Sequence, residues 1–185
     1  IRALAHHADV GVRRKVVTVA RDSNSRHPGY RDVLRKMTAD KDPSVMALAA
    51  TSLARLGQRV DPKVIRAVGD YLLGVEGAST QVMTILYALA SFGEEGRSVY
   101  EELIEHPSAR IRTVAWQRFL TLGDAWNRPA TWLPALEDRD KSVRGAVLAN
   151  LSARSRGFDA RTMRALVANE FVDVRQFAAR SLATA

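Results

Sequence analysis

Four histidines, His6, His7, His27 and His106, are the first residues to test for chemistry, since imidazole can bind metals and move protons. Their spacing fits no metal set, and a chain without cysteine has no thiolate to complete a zinc site. The carboxylate pairs Asp40-Lys41-Asp42 and Asp138-Arg139-Asp140 could hold a divalent cation. Each pair stands just before an apolar helical run, where a carboxylate accepts the unbonded amides of a helix start, and capping explains both. No glycine-rich phosphate loop, Gly-x-Ser-x-Gly elbow or nucleophile with a paired base occurs. The residues thus predict a protein that is not an enzyme, with no catalytic residue, no metal and no cofactor.

The elements that would position these residues follow a repeat. Val12-Arg13, Ile111-Arg112, Val143-Arg144 and Val174-Arg175 each open an apolar run at helical spacing, and weaker copies start at Val45 and Gln81. The six starts at 12, 45, 81, 111, 143 and 174 are 30 to 36 residues apart, a period at which short units bury their apolar faces only by stacking. Eight residues after each start from the second onward stand Leu53, Leu89, Phe119, Leu151 and Leu182, on the stripe of one helix face. Gly57, Gly93 and Gly123 are placed as left-handed helix stops, and Asp9, Asp42 and Asp140 as caps three residues before a start. These runs are the second helices of pairs. Amphipathic stretches at 29–38, 62–73, 95–105, 131–136 and 160–168 supply the first helices, with Pro28, Pro62 and Pro129 near their first turns.

Composition suits that plan: 46% of the residues are hydrophobic but only 6% aromatic, so the core is built of Ala, Leu and Val. No stretch reaches the roughly 18 apolar residues of a membrane span. The reading is one helical domain over 1–185, cytoplasmic, with residues 1–5 as the last turn of a helix and the whole as a piece of a longer array. An Arg to Lys ratio of 23 to 5 suggests a GC-rich bacterial source.

Asp-x-x-Val-Arg followed by an Ala/Leu-rich helix and Leu-Gly resembles the HEAT repeat, above all its short bacterial variety. Asp42-Pro43-Ser44-Val45 and Asp140-Lys141-Ser142-Val143-Arg144 are the best copies, and 12–40 and 158–175 are similar to leucine-rich-repeat-variant proteins. The resemblance implies a right-handed α-solenoid of five to six helical hairpins, an armadillo-like superhelix. It also implies pairing of the Val-Arg arginines with aspartates of neighbouring repeats. Met46 and Val82 stand where arginine is expected, so their repeats lack that pairing. Glu105-His106 reverses the His-Glu pairs of iron-binding HEAT hydroxylases, which leaves that activity unsupported.

In HEAT arrays the second helices line the concave face, presenting the positions two and six after each start. The first column here reads Arg14, Ala47, Met83, Thr113, Gly145, Gln176 and the second Thr18, Thr51, Tyr87, Gln117, Ala149, Arg180. Only Arg14 and Arg180 are cationic, whereas a phosphate backbone would favour lysine and arginine throughout. The net charge of +8 is also unevenly spread, with 5 Lys+Arg against 10 Asp+Glu over 67–138. The expected function is therefore a scaffold whose concave face binds a protein or peptide through Arg14, Thr18, Thr51, Met83, Tyr87, Thr113, Gln117, Gln176 and Arg180, with Met83 and Tyr87 as anchor. The alternative is nucleic-acid binding, with Arg154, Arg156, Arg161 and Arg164 as the basic patch. Some HEAT-like proteins are DNA glycosylases that combine tryptophans with an acidic residue. Trp116, Trp126, Trp132 and Asp124 could serve so, but they fall in the acidic middle of the chain, where packing explains the rings.

Overall fold

The computed structural model describes residues 1–23, 29–122, 124–152 and 158–183, and every regular element among them is helical. The chain forms two compact units, Ile1–Glu102 and Leu103–Ala185. The fold is all-α, built of repeated helical hairpins as the period predicts. None of the described helices is long and apolar enough to cross a membrane.

In the first unit a 3-10 turn, Ala3–His6, precedes α1 (Val10–Asp22), α2 (Gly29–Met37), α3 (Pro43–Arg55), α4 (Pro62–Leu73), α5 (Thr80–Ala88) and α6 (Glu94–Leu103). Helix α3 is central, packed on α1, α2, α4 and α5, and residues 44–53 are all buried. Its sequence allows this, because alanines and serines on several sides let neighbours approach and leave no charge to solvate. The hydroxyls of Thr51 and Ser52 are satisfied within the helix, donating to the carbonyls of Ala47 and Leu48 at 2.8 and 2.6 Å. Two glycines set the close contacts. Gly57 ends α3 at φ 69° in the left-handed region, and a Cβ on Gly96 of α6 would lie 2.0 Å from the Leu89 carbonyl oxygen.

The second unit holds α7 (Ala109–Thr121), α8 (Pro129–Trp132), α9 (Lys141–Ser152), α10 (Ala160–Val167) and α11 (Val172–Ala183). Helix α7 packs on α9, α9 on α11 and α10 on α11. The stretch at 131–136 is not one α-helix: α8 ends at Trp132 and a 3-10 helix, Leu133–Glu137, takes over. Pro134 explains the change, since it has no amide to donate into an α-helical ladder. Trp132 is fully buried here, its Nε1 donating to the Trp126 carbonyl at 2.9 Å and its ring 5.5 Å from that of Phe158.

The predicted caps form. Asp9 accepts from the Val12 amide, Asp42 from Ser44 and Val45, and Asp140 from Ser142, at 2.8 to 3.1 Å. Asp61 and Asp159 cap α4 and α10 in the same way. Gly93 has the expected left-handed φ of 66°, whereas Pro28, His27 and Gly123 lie outside the described residues.

Candidate functional site

The second helices are positioned by an arginine clasp that recurs at four of the six starts. Arg13 sends Nη1 back to the carbonyls of His7 and Ala8, Arg112 to those of His106 and Pro107, Arg144 to those of Asp138 and Arg139, and Arg175 to those of Asn169 and Glu170. Each bond ties the guanidinium to the turn just before its own helix. In Arg13, Arg112 and Arg144 the remaining nitrogens reach forward to the next hairpin. Arg13 grips both carboxylate oxygens of Asp40 at 2.8 and 3.0 Å, and Arg112 both of Asp138 at 2.8 and 2.9 Å. Arg144 takes Asp173 and stacks 3.8 Å over the Phe171 ring.

These bonds favour the ionised forms of Arg13, Arg112 and Asp138. The hydrogen bond that Arg13 donates to Asp40 raises the pKa of Arg13, and the one that Arg112 donates to Asp138 raises the pKa of Arg112. Burial opposes ionisation of Asp138, but the bonds from Arg112 and the Asp140 amide outweigh it and lower its pKa. Within each Asp-x-Asp pair the labour is divided: the first aspartate takes the arginine and the second caps the helix.

The turn position that carries Asp40 and Asp138 holds other side chains elsewhere. Asp40 accepts from the Asp42 amide and Asp138 from that of Asp140, each at 2.8 Å. His7 accepts through Nδ1 from Asp9, His106 through Nδ1 from Ser108, and Asn169 from Phe171. Two of the four histidines therefore shape turns, a role that spacing alone did not reveal. Among the described residues no three His, Asp or Glu side chains gather as a metal would need.

On the second helices the two columns differ between units. In the first unit Arg14 is partly exposed and spends its charge on Ser44 Oγ at 2.9 Å, with Asp42 at 3.8 Å, while Thr18 bonds its own helix at the Arg14 carbonyl. Thr51 and Met83 are buried and offer nothing to a partner, which corrects their assignment as contact residues. The reason is the central place of α3 and the packing of α5 beside it. Tyr87 remains accessible, 44% exposed, so the expected Met83–Tyr87 anchor is reduced to the tyrosine.

In the second unit the columns stay open. Gln117 of α7, Gly145 and Ala149 of α9, and Gln176 and Arg180 of α11 are exposed, and Thr113 is partly so, its hydroxyl 3.1 Å from Ser142 Oγ. A Cβ on Gly145 would meet nothing within 4 Å. The face is thus a low floor on α9 between amide and hydroxyl side chains on α7 and α11, with one cation.

Trp116 lines a pocket with Glu105, Glu137 and Asp138, not with Asp124. Trp116 and Trp132 are buried in packing, and Asp124 is exposed and paired with Arg128 at 2.6 Å. Of the basic cluster, Arg161 and Arg164 are exposed on α10, Arg164 bonding the Ala160 carbonyl, while Arg154 and Arg156 lie outside the described residues.

No protein-family model matches this chain, and no curated protein matches it. Among solved structures it is similar to the complex of CpcE and CpcF of phycocyanin lyase from Nostoc sp. PCC7120, at 15% identity over 98% of this chain and 85% of that one, with a TM-score of 0.37. That structure belongs to a lyase, and the expectation that this chain is not an enzyme, which was drawn from missing catalytic motifs alone, is withdrawn.

Proposed function

We propose that this protein is a helical-repeat interaction module and that the open face of α7, α9 and α11 holds an extended polypeptide segment. One observation carries the reading: the exposed positions Gln117, Gly145, Ala149 and Gln176 and the partly exposed Thr113 are neutral and small or amide-bearing, with space above Gly145. Glutamine side chains offer both donors and acceptors to a peptide backbone, and a glycine floor lets that backbone come close. Phosphate tracking would call for cations, and Arg180 is the only one in the two columns of this unit.

The test is site-specific photo-crosslinking. A photoreactive residue at Gln117 or Gln176 should label one polypeptide, and Gly145→Trp should abolish that labelling by filling the floor. The same residue at Arg161 serves as the control. Labelling from Arg161 alone, together with DNA retention that falls steeply with salt, would instead support the nucleic-acid reading.

A further inference from the structure

Beside the Arg112 clasp the second unit holds a hollow of about 360 Å³, between the turn at 104–107, α7 and the segment 134–138. Buried Trp116 and Ala135 and exposed Pro107 and Pro134 give it an apolar wall. Its charges do not cancel. Asp138 takes Arg112 through both carboxylate oxygens, and His106 is committed through Nδ1 to the Ser108 amide at 3.0 Å. Glu105 and Glu137 are left over. Both are exposed, and neither carboxylate accepts a hydrogen bond or joins an ion pair among the described residues.

The clasp does not require those acids. The first unit has the corresponding hollow beside Arg13, of about 340 Å³, with His7 in the place of His106 and Asp40 in that of Asp138. There His6 stands for Glu105, Ala39 for Glu137 and Lys36 for Pro134. Arg13 keeps its fork to Asp40 with Lys36 and Lys41 around it, so a glutamate at either place is not what holds a clasp together. The fold builds the hollow, and the side chains at its rim set what enters it.

We infer that the hollow at Glu105 and Glu137 takes a guanidinium group carried on an aliphatic stem. Two carboxylates without partners call for a cation. After Asp138 and Asp140, Glu105 contributes to the raised pKa of Arg112, so its charge acts inside the hollow. A bare metal ion does not suit, because among the described residues no three His, Asp or Glu side chains gather closely enough to ligate one. The size is that of a small-ligand site, and the apolar wall covers the methylenes of a long stem while its head stays at the carboxylates. Guanidinium is more weakly hydrated than ammonium, and its flat fork matches carboxylates, as three clasps of this chain already show.

The test is fluorine NMR of the full chain with fluorotryptophan at its three tryptophans, the Trp116 resonance being assigned with Trp116→Phe. Acetylarginine methylamide, agmatine and the neutral acetylcitrulline methylamide are titrated in turn. The two guanidinium compounds should shift the Trp116 resonance saturably, and the citrulline compound should not. Glu105→Gln and Glu137→Gln should each weaken binding by about threefold and together by about tenfold, while an unmoved Trp132 resonance reports an intact core. Tighter binding of the arginine compound assigns the site to an arginine of a polypeptide, and tighter binding of agmatine to a free guanidinium compound. No saturation by either, equal binding of the citrulline compound, or unchanged binding in the double variant overturns the inference. So does the same Trp116 shift with magnesium chloride at equal cation concentration, because the carboxylates would then attract any cation.

Discussion

The guanidinium of Arg144 lies between the Asp173 carboxylate, 3.1 Å away and 29 residues further along, and the face of Phe171 at 3.8 Å. Its other nitrogen takes two carbonyls of its own turn, so one side chain 6% exposed ties the two last hairpins together. Replacing Arg144 with Met should strand the Asp173 carboxylate and both carbonyls and lower unfolding free energy by about 3 kcal/mol in urea titration. Arg144→Lys should recover less than half of that, since an ammonium cannot make the fork and stack together. The exposed pair of Arg66 with Asp70 is the control, where Arg66→Gln should cost under about 1 kcal/mol.

Acid should loosen the fold over a definite range. Asp9, Asp42, Asp138, Asp140 and Asp159 all have lowered pKa values from the bonds their carboxylates accept. A carboxyl held below its unfolded value of about 3.9 adds stability above that pH and loses it as pH falls through the lowered value. The urea midpoint should therefore be level from pH 7 to about 5 and fall below about 4. Asp138→Asn should lower it at neutral pH and flatten the acid slope.

Gly145 sits on the exposed face of α9, inside the helix, with open space at its missing side chain. Gly145→Ala should raise stability by about 0.5–1 kcal/mol, measured by thermal unfolding. If the proposed peptide face is correct, Gly145→Trp should keep the fold while abolishing partner crosslinking.

Met83 and Tyr87 should separate cleanly. Met83, 9% exposed, is a core residue, and Met83→Ala should cost about 2–4 kcal/mol. Tyr87→Ser, at a position 44% exposed, should shift stability by under about 1 kcal/mol.

Gly96→Ala should be among the most damaging single changes in the first unit. A Cβ 2.0 Å from the Leu89 carbonyl oxygen must push backbone from backbone, with an expected loss of at least about 2 kcal/mol, read by urea midpoint.

Much of this architecture was legible because caps and stops are local chemistry. Asp42, Asp140, Gly57 and Gly93 do what their types predict, with no long-range information needed. Pairing of the Val-Arg arginines with aspartates of neighbouring repeats is expected from the family resemblance, but the Asp-x-Asp residues themselves read as caps, since the arginine that takes the first aspartate stands 26 or 27 residues earlier. That distance is itself a signal, close to one repeat. Asp173 departs from the pattern because Asn169 fills the turn place, and Arg144 finds its carboxylate at the start of α11 instead. The columns misled at Thr51 and Met83, where helix register gave the right face but not which helix is enclosed by its neighbours. Small side chains on α3 look the same on an open floor and in a crowded core.

The bend before α1, α3, α7, α9 and α11 forms with aspartate, histidine or asparagine alike, since each supplies one acceptor to the amide two residues on. Backbone shape and electrostatic coupling are thereby uncoupled in inheritance. A lineage can install or discard an ionic rivet by a single codon at that place while the bend persists, so the stiffness of such an array can drift repeat by repeat without passing through a misfolded ancestor.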